Sequence, residues 1–232
     1  MTRGPEALHA GSLEVLGLLP YASNYTLLAK LQGGDETLVV YKPRRGETPL
    51  WDFPTGTLCQ REVAAYLVAS AAGWDFVPPT ILRDGPLGEG AVQLFIDHDP
   101  SVTAFDLSES HEALFQQIAL FDLMINNGDR KAGHVFADAE GRVRVVDHGV
   151  SFHADPKLRT VLWDFIGQPI DSQDLAAVEG VRNALAGKLS DSLAPLLEPE
   201  EIAALISRVE FLLASKVFPA PGPGRPYPWP PV

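Results

Sequence analysis

The sequence predicts an α+β fold with two lobes, in which a β-rich amino-terminal lobe with one helix precedes a small helical carboxy-terminal lobe. Two observations indicate this order. Short apolar segments separated by turn-forming residues dominate residues 1–96, whereas apolar stripes at helical spacing dominate residues 97–217. A chain of 232 residues is long enough for one sizeable core or for two small lobes that share a cleft.

The amino-terminal lobe is predicted to begin with three strands between residues 13 and 42, in the segments LEVLGLLP, YTLLAKL and TLVVYKP. The segment QGGDE separates the last two as a hairpin turn would. A loop rich in Pro and Gly follows, and the segment QREVAAYLVASAA, residues 60–72, has the apolar spacing of a helix that Gly73 ends. Two further strands flank the Gly/Pro turn of TILRDGPLGEGAVQLF, and the second ends near Phe95.

The carboxy-terminal lobe is predicted to begin with a helix in SHEALFQQIALFDLMINN, whose apolar residues fall on one stripe. Two strands about a Glu140-Gly141 turn follow in HVFADAEGRVRVVDHG, and helices are predicted near residues 171–188 and 199–216. Residues 218–232, FPAPGPGRPYPWPPV, form a tail too rich in Pro and Gly for regular structure. This tail is either a flexible or surface-draped segment, which we favour, or a ligand for a protein partner.

Composition narrows the class of partner. The formal net charge of -12 argues against nucleic acid and against docking on anionic lipid by charge. The single cysteine, Cys59, excludes an intramolecular disulfide and a multi-cysteine zinc site, which favours a reducing compartment. Pro5, Glu6 and Glu14 interrupt what would have to be a signal-peptide core, and no apolar run reaches the length of a membrane span. We therefore expect a cytoplasmic protein without integral membrane contact.

A few polar residues lie where phosphoryl transfer would need them. Lys42 ends the predicted strand LVVYKP, and Glu62 lies at the start of the following helix, where its carboxylate can pair with the lysine. Asp129 follows the long helix, His134 comes five residues later, and the next hairpin leads to Asp147 in Asp-His-Gly. Phosphoryl transfer requires positioned phosphates, a divalent cation and a group that orients the attacking hydroxyl, which these residue types can supply.

The segments INNGDRKAGHVF and GRVRVVDHGVSF resemble the catalytic and metal-binding segments of phosphatidylinositol 3/4-kinases and of the related HipA-type kinases. The resemblance covers roughly residues 13–165, and the separation of 18 residues between Asp129 and Asp147 is its strongest element. More closely, the chain resembles an uncharacterised actinobacterial family of phosphatidylinositol-kinase-like proteins. The resemblance implies a two-lobed protein-kinase-like fold that uses ATP with Mg²⁺ or Mn²⁺ and phosphorylates a hydroxyl of a protein, a small polyol or an inositol-type acceptor.

The resemblance also implies roles for particular residues. Asp129 would orient or deprotonate the acceptor hydroxyl, and Arg130 would brace the loop or the transferring phosphate. Asp147 would ligate the metal ions that bridge the phosphates. Lys42 would contact the α- and β-phosphates, with Glu62 holding it in place.

Two further segments are assigned to the nucleotide through the same resemblance. The turn PYASNYT takes the place of the phosphate-covering loop, where Ser23 and Asn24 offer hydrogen bonds. The segment QLFID takes the place of the hinge beside the adenine, which assigns Gln93, Phe95 and Ile96 to nucleotide binding.

His134 departs from the family pattern, which has Asn at this position. Mg²⁺ prefers oxygen ligands, so an imidazole is a poor replacement for an amide carbonyl. Three outcomes are open: His134 ligates a softer ion such as Mn²⁺, it leaves the metal to Asp147, or catalysis is impaired. The phosphate loop also lacks the Gly-x-Gly-x-x-Gly form, so a nucleotide-binding pseudokinase that acts by protein interaction is the main alternative.

Other interpretations concern the remaining polar residues. The histidines and aspartates of these segments are also compatible with a transition-metal hydrolase, although no His-x-x-x-His or His-x-Glu pair fixes two ligands on one element. Lys157 and Arg159 are the best candidates for contact with an anionic substrate or phosphate, and Trp163 is expected to pack its segment on the helical lobe. Asn126 and Asn127 end the long helix and hold the following loop in shape.

Overall fold

The computed structural model of the protein describes residues 4–20, 25–33 and 37–232. Within these residues a five-stranded antiparallel sheet precedes a helical lobe that carries a two-stranded sheet, and the strand order of the larger sheet is β1-β2-β3-β5-β4. The elements of the first half are β1 (Leu13–Leu18), β2 (Leu27–Leu31), β3 (Thr37–Pro43), α1 (Leu58–Ala71), β4 (Thr80–Gly85) and β5 (Gly88–Leu94).

The second half is mainly helical, and its two strands pair antiparallel to form the small sheet. No helix among the described residues is both long and apolar enough to cross a membrane. The elements of this half are α2 (Ala104–Leu107), α3 (Glu112–Ile125), β6 (Val135–Ala137), β7 (Val143–Val145), α4 (Ser172–Leu185), α5 (Lys188–Leu193) and α6 (Pro199–Ser215).

The larger sheet has two faces with different roles, because side chains alternate along a strand. On β3, Val39 and Tyr41 are buried in a cluster with Leu8 of an amino-terminal 3₁₀ turn, whereas Lys42 points to the opposite face. Ala91, which pairs with Lys42 across the sheet, is buried in the other cluster, which contains α1 and the helical lobe. The strand period therefore places the Lys42 ammonium on the side of the sheet that faces the helical lobe.

Helix α1 connects the sheet to the helical lobe through buried contacts. It packs against β4 and β5 and also against α3, α4 and α5. Its Arg61 is 1% exposed, and the guanidinium donates to the Ser151 carbonyl (2.7 Å) and to the Glu201 carboxylate of α6 (2.6 Å). A buried charge is tolerated only when it is paired and hydrogen-bonded, so this contact fixes α1 against α6.

The strands and long helices predicted from the sequence are confirmed, with three differences. Helix α1 begins two residues earlier than predicted, and the short helices α2 and α5 were not predicted. The start of α1 is capped by a residue that is distant in the sequence, because the Glu47 carboxylate accepts hydrogen bonds from the backbone N–H groups of Leu58 (3.1 Å) and Cys59 (2.8 Å). Such a cap lies outside the local window that a sequence pattern uses. The predicted turn at residues 32–36 lies partly outside the described residues.

The tail, residues 218–232, contains no helix or strand, as predicted. It is draped over the helical lobe, and its backbone is bonded there. The Pro226 carbonyl accepts from the Thr160 backbone (3.0 Å) and from the Trp163 indole (3.0 Å), and the Pro231 carbonyl accepts from the Ala132 backbone (2.8 Å). Trp163 therefore anchors its segment on this lobe by way of the tail.

Candidate active site

The loop that carries Asp129 begins where α3 ends in a left-handed residue. Asn126 has φ 54°, a conformation that Asn adopts more readily than most residues. Its side-chain amide donates to the carbonyls of His153 (2.8 Å) and Asp155 (2.7 Å) and accepts from the Lys157 backbone (2.9 Å). Asn126 thus joins the end of α3 to the segment that follows the Asp-His-Gly motif.

A buried ion pair supports the same loop from beneath. The Arg130 guanidinium and the Asp122 carboxylate are both 0% exposed, and they are joined by bonds from Arg130 Nε (3.0 and 3.2 Å) and Nη2 (2.9 Å). Arg130 Nη1 also donates to the Val146 carbonyl (2.8 Å), directly before Asp147. Arg130 therefore braces the loop. None of its side chain is accessible, which favours the bracing role, and contact with the transferring phosphate stays an untested prediction.

Asn127 and Arg159 fix the backbone on either side of Asp129. The Asn127 side chain donates to Asp122 (3.0 Å) and accepts from the backbone N–H of Asp129 (2.9 Å). The Arg159 backbone donates to the Asn127 carbonyl (2.9 Å) and accepts from the Arg130 N–H (2.9 Å). The position of the Asp129 carboxylate is therefore set by main-chain bonds to a second segment.

Lys42, Glu62 and Asp147 form a charged triad between the two lobes. The Lys42 ammonium is paired with Glu62 and lies 3.0 Å from Oδ1 of Asp147. The second Glu62 oxygen accepts from the backbone N–H of His148 (3.0 Å), so Glu62 also holds the Asp-His-Gly motif. The predicted pairing of Lys42 with Glu62 is present, and the structure brings Asp147 to the same ammonium.

The charges of this triad shift its pKa values. Burial alone would lower the pKa of Lys42, but the Asp147 and Glu62 carboxylates outweigh it and raise this pKa above the ordinary lysine value. The Lys42 charge likewise holds the pKa of Asp147 well below its usual range. Burial would raise the pKa of Glu62, and attraction to Lys42 reverses this to a net decrease. All three groups are therefore ionised at neutral pH.

His134 contacts Asp147 from the other side. Its Nε2 lies 3.3 Å from Oδ2 of Asp147, and its Nδ1 faces the Lys131 backbone N–H at 3.4 Å. Burial lowers the pKa of His134 to about 4, so the imidazole is neutral at pH 7. Since Nδ1 faces a donor, the single proton belongs on Nε2, which then donates to Asp147. This tautomer favours the outcome in which His134 leaves the metal to Asp147.

Asp129 is the group best suited to act as a base. Its side chain is 35% exposed, and Lys131 Nζ lies 3.6 Å from its Oδ2. Partial burial, together with the nearby Asp147 charge, raises the pKa of Asp129 to about 6 despite the opposing effect of Lys131. A carboxylate with a pKa near the working pH is suited to accept a proton.

His148, the middle residue of Asp-His-Gly, is 0% exposed, and burial lowers its pKa. Its ring packs edge-on against Phe121 with centroids 5.4 Å apart. Nδ1 is 3.8 Å from Glu62, beyond hydrogen-bond distance, and neither ring nitrogen has a hydrogen-bond partner among the described residues. His148 therefore fills an apolar position as a neutral ring.

Two neighbouring cavities meet at Asp129. The smaller, of about 120 Å³, is lined by residues of the triad together with His134 and Lys131. The larger, of about 340 Å³, lies between the 48–53 loop and the segment that contains Lys157 and Arg159. Three residues line both cavities: Leu58, Asp129 and Val150. The smaller cavity therefore contains the charged triad, the larger cavity lies beside it, and the Asp129 carboxylate is accessible from both.

The remaining predicted nucleotide contacts lie elsewhere. Gln93 lies in β5, and Phe95 and Ile96 come directly after that strand, but none of the three lines the cavity that contains Lys42. The Gln93 side chain is buried and donates to Thr80 Oγ1 (2.8 Å), so its amide is not presented to that cavity. Ser23 and Asn24 lie outside the described residues, and their assignment stays a prediction.

Sequence reasoning missed three residues that organise the site. Asp122 accepts from Arg130, Asn127 and also Thr160 Oγ1 (3.3 Å), and Glu47 caps α1. The one available signal was an aspartate on the apolar stripe of α3, because a charge there has to find a buried partner. Thr160 and Glu47 give no such signal, since loop Thr and Glu residues are usually solvated.

The structure gives no support to a hydrolase with several protein ligands to a metal. Within residues 4–20, 25–33 and 37–232, no group of three or more His, Cys, Asp or Glu side chains is arranged to hold a metal ion. His153 instead accepts from the Asp155 backbone (2.9 Å) and packs edge-on against Phe53. His148 is enclosed in the core.

Comparison with known proteins establishes the family. No protein-family model matches the chain. Protein Rv2133c of Mycobacterium tuberculosis (strain ATCC 25618 / H37Rv) is 42% identical to it over 256 residues, which cover 95% of this chain and 92% of that protein. The chain belongs to the Rv2133c family.

Kinases are among the solved structures with similar folds. The Helicobacter pylori proinflammatory kinase CtkA has a TM-score of 0.56 at 12% identity and aligns over 90% of this chain and 93% of its own. The Golgi casein kinase with Mn/ADP bound has a TM-score of 0.56 at 12% identity, over 98% and 80% of the two chains. Hydra Fam20 with sugar has a TM-score of 0.55 at 14% identity, over 90% and 86%.

At such low identity these similarities concern the fold alone. This member of the Rv2133c family has the two-lobed protein-kinase-like α+β fold that its sequence predicts. The narrower resemblance to phosphatidylinositol 3/4-kinases and HipA-type kinases is not confirmed by these neighbours. Fold similarity does not identify a substrate, because one fold serves many functions.

Proposed function

We propose that the protein is an ATP-dependent phosphotransferase that transfers the γ-phosphate to a hydroxyl group. The observation that carries the proposal is the convergence of Lys42, Glu62, Asp147 and Asp129 on one cavity at the boundary between the lobes. A lysine held by a glutamate, a carboxylate suited to a metal ion and a separate carboxylate base are the parts on which protein-kinase chemistry depends. The kinase-like fold supports the same conclusion.

The donor set fits a divalent cation that nucleotide phosphates help to hold. Asp147 offers a carboxylate that is 49% exposed at the cavity, and Mg²⁺ typically takes one or two protein carboxylates plus phosphate oxygens and water. Bound there, Mg²⁺ or Mn²⁺ would neutralise phosphate charge. The Golgi casein kinase, which has the same fold, is described with Mn/ADP bound. Lys42 would exchange its contact with Asp147 for a nucleotide phosphate while Glu62 keeps the ammonium in place.

Asp129 would receive the proton of the acceptor. The acceptor oxygen forms a bond to the γ-phosphorus, the bond from that phosphorus to the bridging oxygen of ADP breaks, and the acceptor proton moves to the Asp129 carboxylate. Arg130 and Asn127 do not touch the reacting atoms. They hold the loop so that this carboxylate faces both cavities.

Binding and turnover of ATP test the proposal. We expect ATP to bind in the presence of Mg²⁺ or Mn²⁺, and γ-phosphate transfer or ATP turnover to be lost in Asp129→Ala while nucleotide affinity changes little. An Asp155→Ala variant, whose carboxylate is exposed outside both cavities, is the control. Tight nucleotide binding without turnover under either metal would contradict the enzyme. Turnover unaffected by Asp129→Ala would contradict the role of Asp129.

A nucleotide-binding pseudokinase is the second candidate. The contact of His134 with Asp147 favours it, because His134 replaces the asparagine that ligates the metal in the resembling kinases, and its imidazole occupies the Asp147 carboxylate instead. The two candidates differ in the outcome of His134→Asn. If His134 only stands in for the usual ligand, Mg²⁺-supported turnover persists or rises in the variant. If wild type binds nucleotide without turnover and His134→Asn gains turnover, the natural protein is a pseudokinase.

A further inference from the structure

The larger cavity lies on the side of Asp129 away from the charged triad. It has a volume of about 340 Å³ and is formed by the 48–53 loop on one side and by the segment after Asp-His-Gly on the other. This volume is at the lower end of the range for small-molecule sites. Since Asp129 lines both this cavity and the smaller one that contains the charged triad, a molecule in the larger cavity would have access to the proposed base.

Arg159 brings a positively charged guanidinium to the lining of the larger cavity. The residue is exposed, and in the part of the chain that the structure describes no carboxylate forms an ion pair with its guanidinium. Its backbone is fixed, because it is bonded to Asn127 and Arg130 on the two sides of Asp129. The guanidinium therefore projects from a rigid base next to the catalytic loop.

Lys157 does not compete for the same role. Its ammonium lies 3.0 Å from the Asp52 carboxylate and 4.9 Å from the centre of the Trp51 ring. The charges of Lys157 and Asp52 cancel, and their ion pair joins the two walls of the cavity. Trp51 is 91% exposed, so a large apolar surface is held at the cavity although it packs against little else. The indole lines the cavity and so offers an apolar surface to a bound molecule.

We propose that this cavity binds the phosphate acceptor, and that the acceptor is a small hydroxyl compound carrying a phosphate or carboxylate group that pairs with Arg159. The proposal rests on the proposed phosphotransferase function and names its substrate class. A guanidinium recognises phosphate or carboxylate by paired hydrogen bonds, and its rigid base places the anionic end of the acceptor at a defined site beside Asp129. The hydroxyl end then reaches the Asp129 carboxylate, while the indole of Trp51 covers the carbon skeleton.

The charge pattern explains why a small anion suits this site in an acidic protein. The chain carries a net charge of -12, which disfavours a polyanionic surface as partner, whereas one anionic group needs only one unpaired cation. A phosphate group and a carboxylate group share this chemistry, and the experiment separates them. A serine peptide would not require Arg159 and is an alternative that the experiment also covers.

Binding is measured by titrating the full chain with glycerol 3-phosphate, glycerate, glycerol and a neutral serine peptide, each without nucleotide and again with ADP and Mn²⁺. The variants are Arg159→Gln and, as a matched control, Arg182→Gln, whose guanidinium pairs with Glu179 on α4 outside the cavity. We expect glycerol 3-phosphate or glycerate to bind, Arg159→Gln to weaken that binding by about tenfold or more, and Arg182→Gln to leave it unchanged. Lys157→Gln is expected to have a smaller effect.

Three results overturn the proposal: glycerol binds as tightly as the two anionic compounds, Arg159→Gln leaves their binding unchanged, or the peptide alone binds and is phosphorylated. These results concern the acceptor and leave ATP turnover in place. Failure of the phosphotransferase function would instead appear as absent nucleotide turnover in wild type, even where an anionic compound binds through Arg159. Loss of anion binding in Arg159→Gln with retained ATP turnover is the specific signature of the proposed site.

Discussion

The ammonium of Lys42 lies 3.0 Å from the Asp147 carboxylate while it is also paired with Glu62. The lysine thus links the sheet, helix α1 and the Asp-His-Gly motif in a single charged contact. Two carboxylates around one ammonium leave an excess of negative charge, which a divalent cation bound by phosphates would offset. Under the proposed function, a nucleotide with its metal ion would insert between Lys42 and Asp147.

Lys42→Met should destabilise the protein as well as abolish nucleotide binding. The Glu62 carboxylate is 3% exposed, and loss of its partner leaves a buried charge uncompensated, which costs about 3 kcal/mol. The double variant Lys42→Met/Glu62→Gln should recover most of that free energy of unfolding but not the nucleotide affinity. Urea unfolding followed by circular dichroism measures the first quantity, and titration with ADP and Mn²⁺ measures the second. Equal stability of both variants would contradict the role given to Glu62.

Phosphotransfer should depend on pH through Asp129. Since burial raises the pKa of Asp129 to about 6, the carboxylate is the base above this pH and becomes protonated below it. The rate of transfer should therefore be constant near neutral pH and fall as the pH decreases through about 6. Measurement of kcat/KM from about pH 5 to about pH 8 checks this. A profile without this decrease, at saturating metal, would exclude Asp129 as the base.

His148→Phe should stabilise the protein by about 1 kcal/mol, because it removes two buried ring nitrogens without partners and keeps the packing against Phe121. The advantage should grow at acidic pH. Burial lowers the pKa of His148, so the unfolded chain binds a proton that the folded protein does not, and wild type loses stability as the pH falls below the ordinary histidine pKa of about 6.5.

Urea unfolding at about pH 8 and about pH 5 measures both effects. His9→Phe, at an exposed histidine, is the control and should show no such advantage at either pH. A variant His148→Phe that is less stable than wild type at both pH values would mean that the imidazole has a hydrogen-bond partner in solution.

Removal of residues 225–232 should loosen the loop that carries Asp129. The tail carbonyls of Pro226 and Pro231 accept from the backbone of Thr160 and Ala132, and these N–H groups would become accessible to water. Amide hydrogen exchange at both positions should accelerate by about tenfold or more. Trp229→Ala is the control, since this ring is 74% exposed and its loss leaves both carbonyls in place. Unchanged exchange after truncation would show that the loop does not need the tail.

The agreement between sequence and structure is uneven for physical reasons. The sequence places Lys42 at the end of a predicted strand, which the structure has as β3, and it selects Asp129 and Asp147 by their separation of 18 residues; the roles of all three stay predictions. Asp122 lies on the apolar stripe of α3, and its buried pairing with Arg130 was not predicted. Arg130 was left with two alternatives, bracing of the loop or contact with the phosphate, and its burial favours the first. The side chain of Gln93 proved to be bonded within the sheet instead of facing the cavity with Lys42.

The order of strands and helices, the two-lobed class and the spacing of the charged residues can be predicted without a structure, because they follow from local periodicity and from short connections. Which charges meet depends on how the chain packs. The capping of α1 by Glu47, the bonding of Arg159 to the catalytic loop and the docking of the tail all join residues far apart in the chain. Such contacts depend on packing of the complete core, and no local pattern of residues specifies them.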